Sequence, residues 1–124
     1  MTEDLAKQAV ACKGWRWMPG MLGVSAKAGL WRVEQADLTA LCGAGAGPAS
    51  IHEAGVWLPD LDDPATLGCL LALVREAYGK SGIHARRIGA SLWRVYDDAW
   101  LKRAPLGKGA TEIEAIIAAL EAAP

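Results

Sequence analysis

The sequence predicts an α+β fold, a small antiparallel sheet packed with two or three helices in a single domain over residues 1–124. Two segments have apolar residues at helical spacing, and short runs of alternating apolar and polar residues lie between them. Strands that follow one another without an intervening helix favour antiparallel pairing over β-α-β units. A chain of 124 residues with 52% hydrophobic residues is long enough to bury one core.

The clearest helix is predicted over residues 64–78. Asp63 is a suitable N-cap, and Pro64 suits the first helical position because the missing N–H has no partner there. Gly79 follows as a residue that accepts positive φ and ends the helix. The apolar stripe consists of Leu67, Leu70, Leu71, Val74 and Tyr78.

Two further helices are predicted at the ends of the chain. Thr111 and Glu114 have the spacing of a capping box, in which each side chain accepts from the other residue's free backbone N–H. Ile113, Ile116, Ile117 and Leu120 then form an apolar stripe. A shorter helix is predicted from about Glu3 to Cys12.

Strand signals fill the remaining segments. Residues 29–35 alternate apolar and polar side chains, and residues 83–88 and 92–96 form a predicted hairpin around the turn at 89–91. A further strand is predicted over residues 100–104. The core is expected to join the helices across a sheet that carries two tryptophans, and its members are Leu67, Leu71, Val74, Ile113, Ile117, Leu120, Trp31 and Trp93.

Composition and cysteine usage exclude several classes of protein. A net charge of −1 argues against a wholly basic nucleic-acid binder, and the apolar fraction argues against disorder. Three widely spaced cysteines and an acidic start to the chain predict a cytoplasmic protein. The longest apolar stretch, residues 67–74, is too short for a membrane span, so no membrane partner is expected.

Motifs for catalysis and metal binding do not occur. His52 and His84 lie far apart without an H-E-x-x-H or Cys/His cluster, and no G-x-S-x-G surrounds a serine. Gly107-Lys108-Gly109, before the last helix, either offers backbone N–H groups to an anion or forms an ordinary loop. The protein is therefore predicted to be non-enzymatic, with no cofactor and no metal.

Charge is distributed unevenly along the chain. Residues 78–109 contain seven Lys or Arg and two Asp, a balance of +5, whereas residues 51–77 have a balance of −4. The predicted hairpin places Arg86 on one strand face with His84, and Arg94 on a face of the partner strand with Tyr96. Such a face binds an anionic group or is an ordinary solvated face whose arginines pair with acidic neighbours.

Six tryptophans in a chain without phenylalanine are the second unusual feature. Trp15 and Trp17 flank Arg16 in a segment rich in Gly and Pro, which is typical of an interface or of a lid that closes a small core. The predicted binding residues combine this segment with the basic one, and they are Trp15, Arg16, Trp17, Arg86, Arg87, Arg94, Lys102 and Arg103.

Three segments in order resemble small uncharacterised proteins of tailed bacteriophages and prophages. These are WRWMPGM at 15–21, LPDLDDPATLGCLLALVREA at 58–77 and TEIEAIIAALEAA at 111–123. The layout is similar to that of phage α-β-α sandwich domains. The resemblance implies a phage context and the cytoplasm of a bacterial host, and it carries no activity or site residues.

The function expected from these observations is binding. The protein is predicted to be a phage-encoded accessory protein that inhibits a host defence system through an Arg/Trp surface. Two alternatives remain: an oligomer that sequesters a nucleotide signal, and a structural or morphogenetic phage protein. The expected partner is accordingly a host or phage protein or an anionic nucleotide, and a homo-oligomer is one possible assembly.

Overall fold

The computed structural model describes residues 2–25, 29–33, 58–97 and 105–124. Over these residues the chain forms three helices and six strands, and the predicted α+β class is confirmed. In chain order they are α1 (Thr2–Ala11), β1 (Leu22–Ser25), β2 (Gly29–Arg32), β3 (Leu58–Pro59), α2 (Pro64–Tyr78), β4 (His84–Gly89), β5 (Leu92–Tyr96), β6 (Gly107–Gly109) and α3 (Glu112–Glu121).

The strands belong to two antiparallel sheets, where the sequence analysis expected one. The first sheet has the order β2-β1-β3 and the second has the order β4-β5-β6. The predicted hairpin is confirmed as β4 and β5, with a register shift between Arg87 and Gly89. The strand predicted over residues 100–104 lies outside the described residues.

The helices begin and end where local signals predict. The Asp63 side chain accepts from the backbone N–H of Thr66 at the start of α2, and Gly79 ends the helix at φ 66°. Both halves of the capping box between Thr111 and Glu114 are present at the start of α3. These ends are predictable because each depends on residues a few positions apart.

One hydrophobic core contacts all three helices and both sheets. Val74, Ile117 and Leu120 are buried as predicted, and Trp93 packs against the core. Leu67, Leu71 and Ile113 are only half-buried, whereas Thr66, Leu70 and Leu73 are buried. The buried face of α2 is therefore rotated from the predicted stripe. The side chain of Trp31 lies outside what the structure describes.

A polar link between α2 and the first sheet accounts for this rotation. The buried Thr66 hydroxyl accepts from the backbone N–H of Leu22 at 2.9 Å and donates to Asp63 at 3.0 Å. Arg32 on β2 donates to both carboxylate oxygens of Asp63, at 2.6 and 3.0 Å, and to the carbonyl oxygen of Gly20. These bonds turn the Thr66 side of the helix toward the sheet.

Helix α3 packs against β6 at backbone contact. A Cβ added to Gly107 would lie 2.4 Å from the carbonyl oxygen of Ala115 and 2.4 Å from the amide nitrogen of Ala119. A Cβ on Gly109 would lie 2.6 Å from that of Glu114. The alternative of an ordinary loop is wrong, because residues 107–109 form a strand whose missing side chains allow the helix to approach. The alternative of anion binding stays a prediction.

This packing predicts opposite effects of the same substitution at two glycines. Gly107→Ala should lower the free energy of unfolding by about 1–3 kcal/mol or more, because the new methyl group meets backbone atoms that cannot move aside. Gly68 lies inside α2, and a Cβ added there has no atom within 4 Å. Gly68→Ala should therefore raise the free energy of unfolding by about 0.5–1 kcal/mol. Urea denaturation of both variants tests this, and a Gly107→Ala protein as stable as the wild type would contradict it.

The link between Arg32 and Asp63 predicts a pH dependence of stability. Hydrogen bonds from Arg32 and from Thr66 hold the pKa of Asp63 at about 2, against an ordinary value of 3.8. The folded carboxylate binds a proton less readily than the unfolded one, so its stabilising effect is complete above the ordinary pKa and is lost as the pH falls toward 2. Denaturation at a series of pH values should show a weaker acid dependence for Asp63→Asn than for wild type. Asp62→Asn, which removes an exposed carboxylate, is the control and should follow the wild type.

Candidate functional site

Three basic side chains form one row across the second sheet. Arg86 on β4 is the register partner of Arg94 on β5, and Arg94 is the partner of Lys108 on β6. Directly opposite residues of an antiparallel pair project from the same face, with Cβ atoms about 4.5–5.5 Å apart. We call Arg86, Arg94 and Lys108 the basic row.

The basic row lies on the face of the sheet that points away from α3. Val95, the next residue along β5, is fully buried and pairs with Ala85 on one side and Gly107 on the other. Since successive side chains of a strand point to opposite faces, the packing of Gly107 under α3 places Arg94 on the outer face. The hydrophobic core thus determines which face is basic.

The centre of the basic row is more buried than its ends. Arg94 is half-buried, and its Nη1 donates to the phenolic oxygen of Tyr96 at 3.2 Å. Arg86 and Lys108 are exposed. Like charges directly opposite each other across strands repel one another, and this register aligns three of them. An anion placed over the row reduces that repulsion.

Polar and apolar groups flank the basic row along the strands. His84 is the register partner of Tyr96 at one end of the hairpin, and its Nδ1 lies 3.1 Å from the carbonyl oxygen of Gly82. Toward the turn, Ile88 is 43% exposed, which is high for a large apolar side chain in a strand. The surface therefore offers positive charge next to exposed apolar area.

Two other basic residues of the hairpin region have structural partners. Arg87 donates to the carbonyl oxygens of Gly89 and Ala90, at 3.1 and 3.3 Å, and so stabilises the hairpin turn. Lys80 forms an ion pair with the buried Asp97, with Nζ and Oδ2 3.0 Å apart. Arg87, a predicted binding residue, follows Arg86 in regular register, so it projects from the opposite face of the sheet and contacts its own turn.

The tryptophan segment packs against the core and contacts α2. The rings of Trp15 and Trp17 meet edge to face, with centroids 5.3 Å apart, and both pack against the core. Arg16 between them forms an ion pair with Glu76 on α2, with Nη2 and Oε2 2.5 Å apart. These contacts support the lid interpretation of the two rings over an exposed stacking pocket.

The predicted site residues thus divide into groups. Arg86 and Arg94 are brought together in the sheet. Arg16 instead forms an ion pair with α2, and Arg87 donates hydrogen bonds to the hairpin turn. Lys102 and Arg103 lie outside the described residues. The prediction missed Lys108 as a site residue, because a three-residue strand of Gly-Lys-Gly carries no alternation from which its register could be read.

The described residues contain neither a metal-ligand cluster nor a membrane-spanning helix. Within residues 2–25, 29–33, 58–97 and 105–124, no three His, Cys, Asp or Glu side chains are grouped as metal ligands would be. No helix in the same ranges has the length and apolar character needed to cross a bilayer.

Comparison with protein families, with curated proteins and with solved structures gives no significant match. The phage context therefore stays a prediction from the sequence resemblance alone.

Proposed function

We propose that the protein acts by binding, and that its basic row contacts an acidic surface of a partner protein. The observation that carries this proposal is the register of the second sheet, which aligns Arg86, Arg94 and Lys108 on the face opposite α3. The chain has a net charge of −1, so it contains enough carboxylates to balance its cations. The register of the second sheet nevertheless aligns cations with cations. Binding to an acidic surface would explain why the fold retains the repulsion between these cations.

A protein partner is favoured over a nucleotide because of the full or partial burial of three aromatic side chains among the described residues. Platforms that bind nucleotides or single strands stack bases on exposed aromatic rings. Tyr96, on the row's own face, is only 6% exposed, and Trp15 and Trp17 pack against the core. The exposed Ile88 beside cationic side chains is instead typical of a protein interface, where an apolar centre is surrounded by charged groups.

We extend the proposal to the biological context through the sequence resemblance. The segments at 15–21, 58–77 and 111–123 support a role as a phage accessory protein in the host cytoplasm. On that basis the acidic partner is a component of a host defence system, which the protein blocks by occupying its surface. The action needs no enzymatic chemistry, since occupancy alone prevents the partner's normal contacts.

The proposal predicts that binding of a polyanion depends on position as well as on charge. The double variant Arg86→Gln/Lys108→Gln removes the two exposed members of the row. It should bind fluorescein-labelled polyglutamate about tenfold more weakly than wild type, because two exposed contacts contribute less than about 1 kcal/mol each. Fluorescence anisotropy at a series of salt concentrations measures this, and wild-type affinity should fall as salt rises.

The matched control is Lys7→Gln/Lys13→Gln, which removes the same charge from exposed positions on and after α1. It should bind polyglutamate as wild type does. Equal losses in both double variants would show that net charge alone governs binding and would contradict the proposal. Tighter binding to a single-stranded oligothymidylate than to polyglutamate at the same salt would contradict the choice of a protein partner.

A further inference from the structure

We infer that the partner binds as an extended acidic segment that adds a strand to the edge of β4 opposite β5, an edge that pairs with no other strand of the described residues. This inference rests on the proposed function and specifies how the acidic partner is recognised. Addition of a strand to a sheet edge uses main-chain hydrogen bonds for affinity and side-chain positions for specificity.

The position and exposure of β4 support this mode of binding. β4 lies at one side of the order β4-β5-β6, and within the described part of the chain its ladder partner is β5 alone. It is the longest of the described strands, and residues 86–90 are all exposed. An edge strand of this length presents backbone N–H and C=O groups to an incoming strand.

The charges on β4 determine which strand fits. A residue of an added strand that faces Arg86 would continue the line Lys108, Arg94, Arg86 as its fourth member. A carboxylate at that position lies directly opposite one cation and near a second, which is the favourable cross-strand arrangement. A second copy of this chain paired through its own β4 would instead bring arginines together, and that repulsion disfavours self-association at this edge.

The bulge limits the length of the added strand. Pairing of β4 with β5 is regular from His84 to Arg87 and shifts before Gly89. A partner strand therefore pairs regularly over about four residues, with the exposed Ile88 beyond them. The segment that fits is short and extended, with an acidic residue opposite Arg86 and an apolar residue near Ile88.

Backbone methylation separates strand addition from simple charge attraction. The probe is a fluorescein-labelled peptide of about ten residues that alternates Glu and Val, a length sufficient for one strand. A second peptide has the same side chains but is N-methylated at every residue, so it lacks the backbone donors that a strand needs. Wild-type protein should bind the unmodified peptide at least about tenfold more tightly than the methylated one, as loss of several hydrogen bonds requires.

Amide hydrogen exchange locates the added strand. The unmodified peptide should slow exchange at least about tenfold at those amides of residues 84–87 that point away from β5, and leave the amides of β6, at the other side of the sheet, unchanged. Equal affinity for the two peptides, or protection at β6, would overturn strand addition at β4.

The outcome also distinguishes this inference from the proposed function. If the Glu-Val peptide fails to bind or binds independently of its backbone, while polyglutamate still requires Arg86 and Lys108, strand addition is wrong and the basic row remains the binding surface. If binding of the Glu-Val peptide and binding of polyglutamate are both independent of Arg86 and Lys108, the inference and the proposed function are both wrong. Preferential protection of β4 by an oligothymidylate would also overturn the inference.

Discussion

The close packing of α3 on β6 is the constraint from which the functional surface follows. Gly107 and Gly109 carry no Cβ atoms, so the helix approaches the strand to backbone distance. This contact buries one face of the second sheet and places Val95 in the core. Strand alternation then leaves Arg94, with its register partners, on the opposite face. A packing requirement on one side thus produces a charged surface on the other.

The two sheets are fixed to the helices by different kinds of interaction. The first sheet is joined to α2 by polar contacts, in which Arg32, Asp63 and Thr66 connect β2 and the residue Leu22 to the start of the helix. The second sheet is joined to α3 mainly by apolar packing. On the outer face of the second sheet, Arg86 and Lys108 are the exposed members of the basic row.

Local signals predicted much of the fold. The bounds of α2, the capping box of α3 and the hairpin of β4 and β5 each depend on residues close in sequence. The predicted stripe of α2 is confirmed at Leu70 and Val74, which are buried. The burial of Thr66 was not predictable, because its hydrogen bond with Leu22 spans 44 positions. For the same reason neither the division into two sheets nor the packing of the half-buried Trp15 and Trp17 against the core could be derived from periodicity.

The candidate site was predictable only in part. Alternation placed Arg86 and Arg94 on the outer faces of adjacent strands, which the register confirms. Lys108 joins them through β6, which is too short to reveal its partner, and Arg87 is held by a turn bond that depends on the bulge. Charge composition therefore located the basic region, while the register determined which cations share a row.

The most direct test of the central claim, that three cations are held in register and repel one another, is the free energy of unfolding of Lys108→Glu. A carboxylate there lies opposite Arg94, and replacing repulsion by attraction should raise the free energy of unfolding by about 0.2–1 kcal/mol. The gain should shrink as salt is added, and Lys13→Glu, on the exposed surface after α1, should not reproduce it. A Lys108→Glu protein no more stable than the wild type at low salt would contradict the basic row.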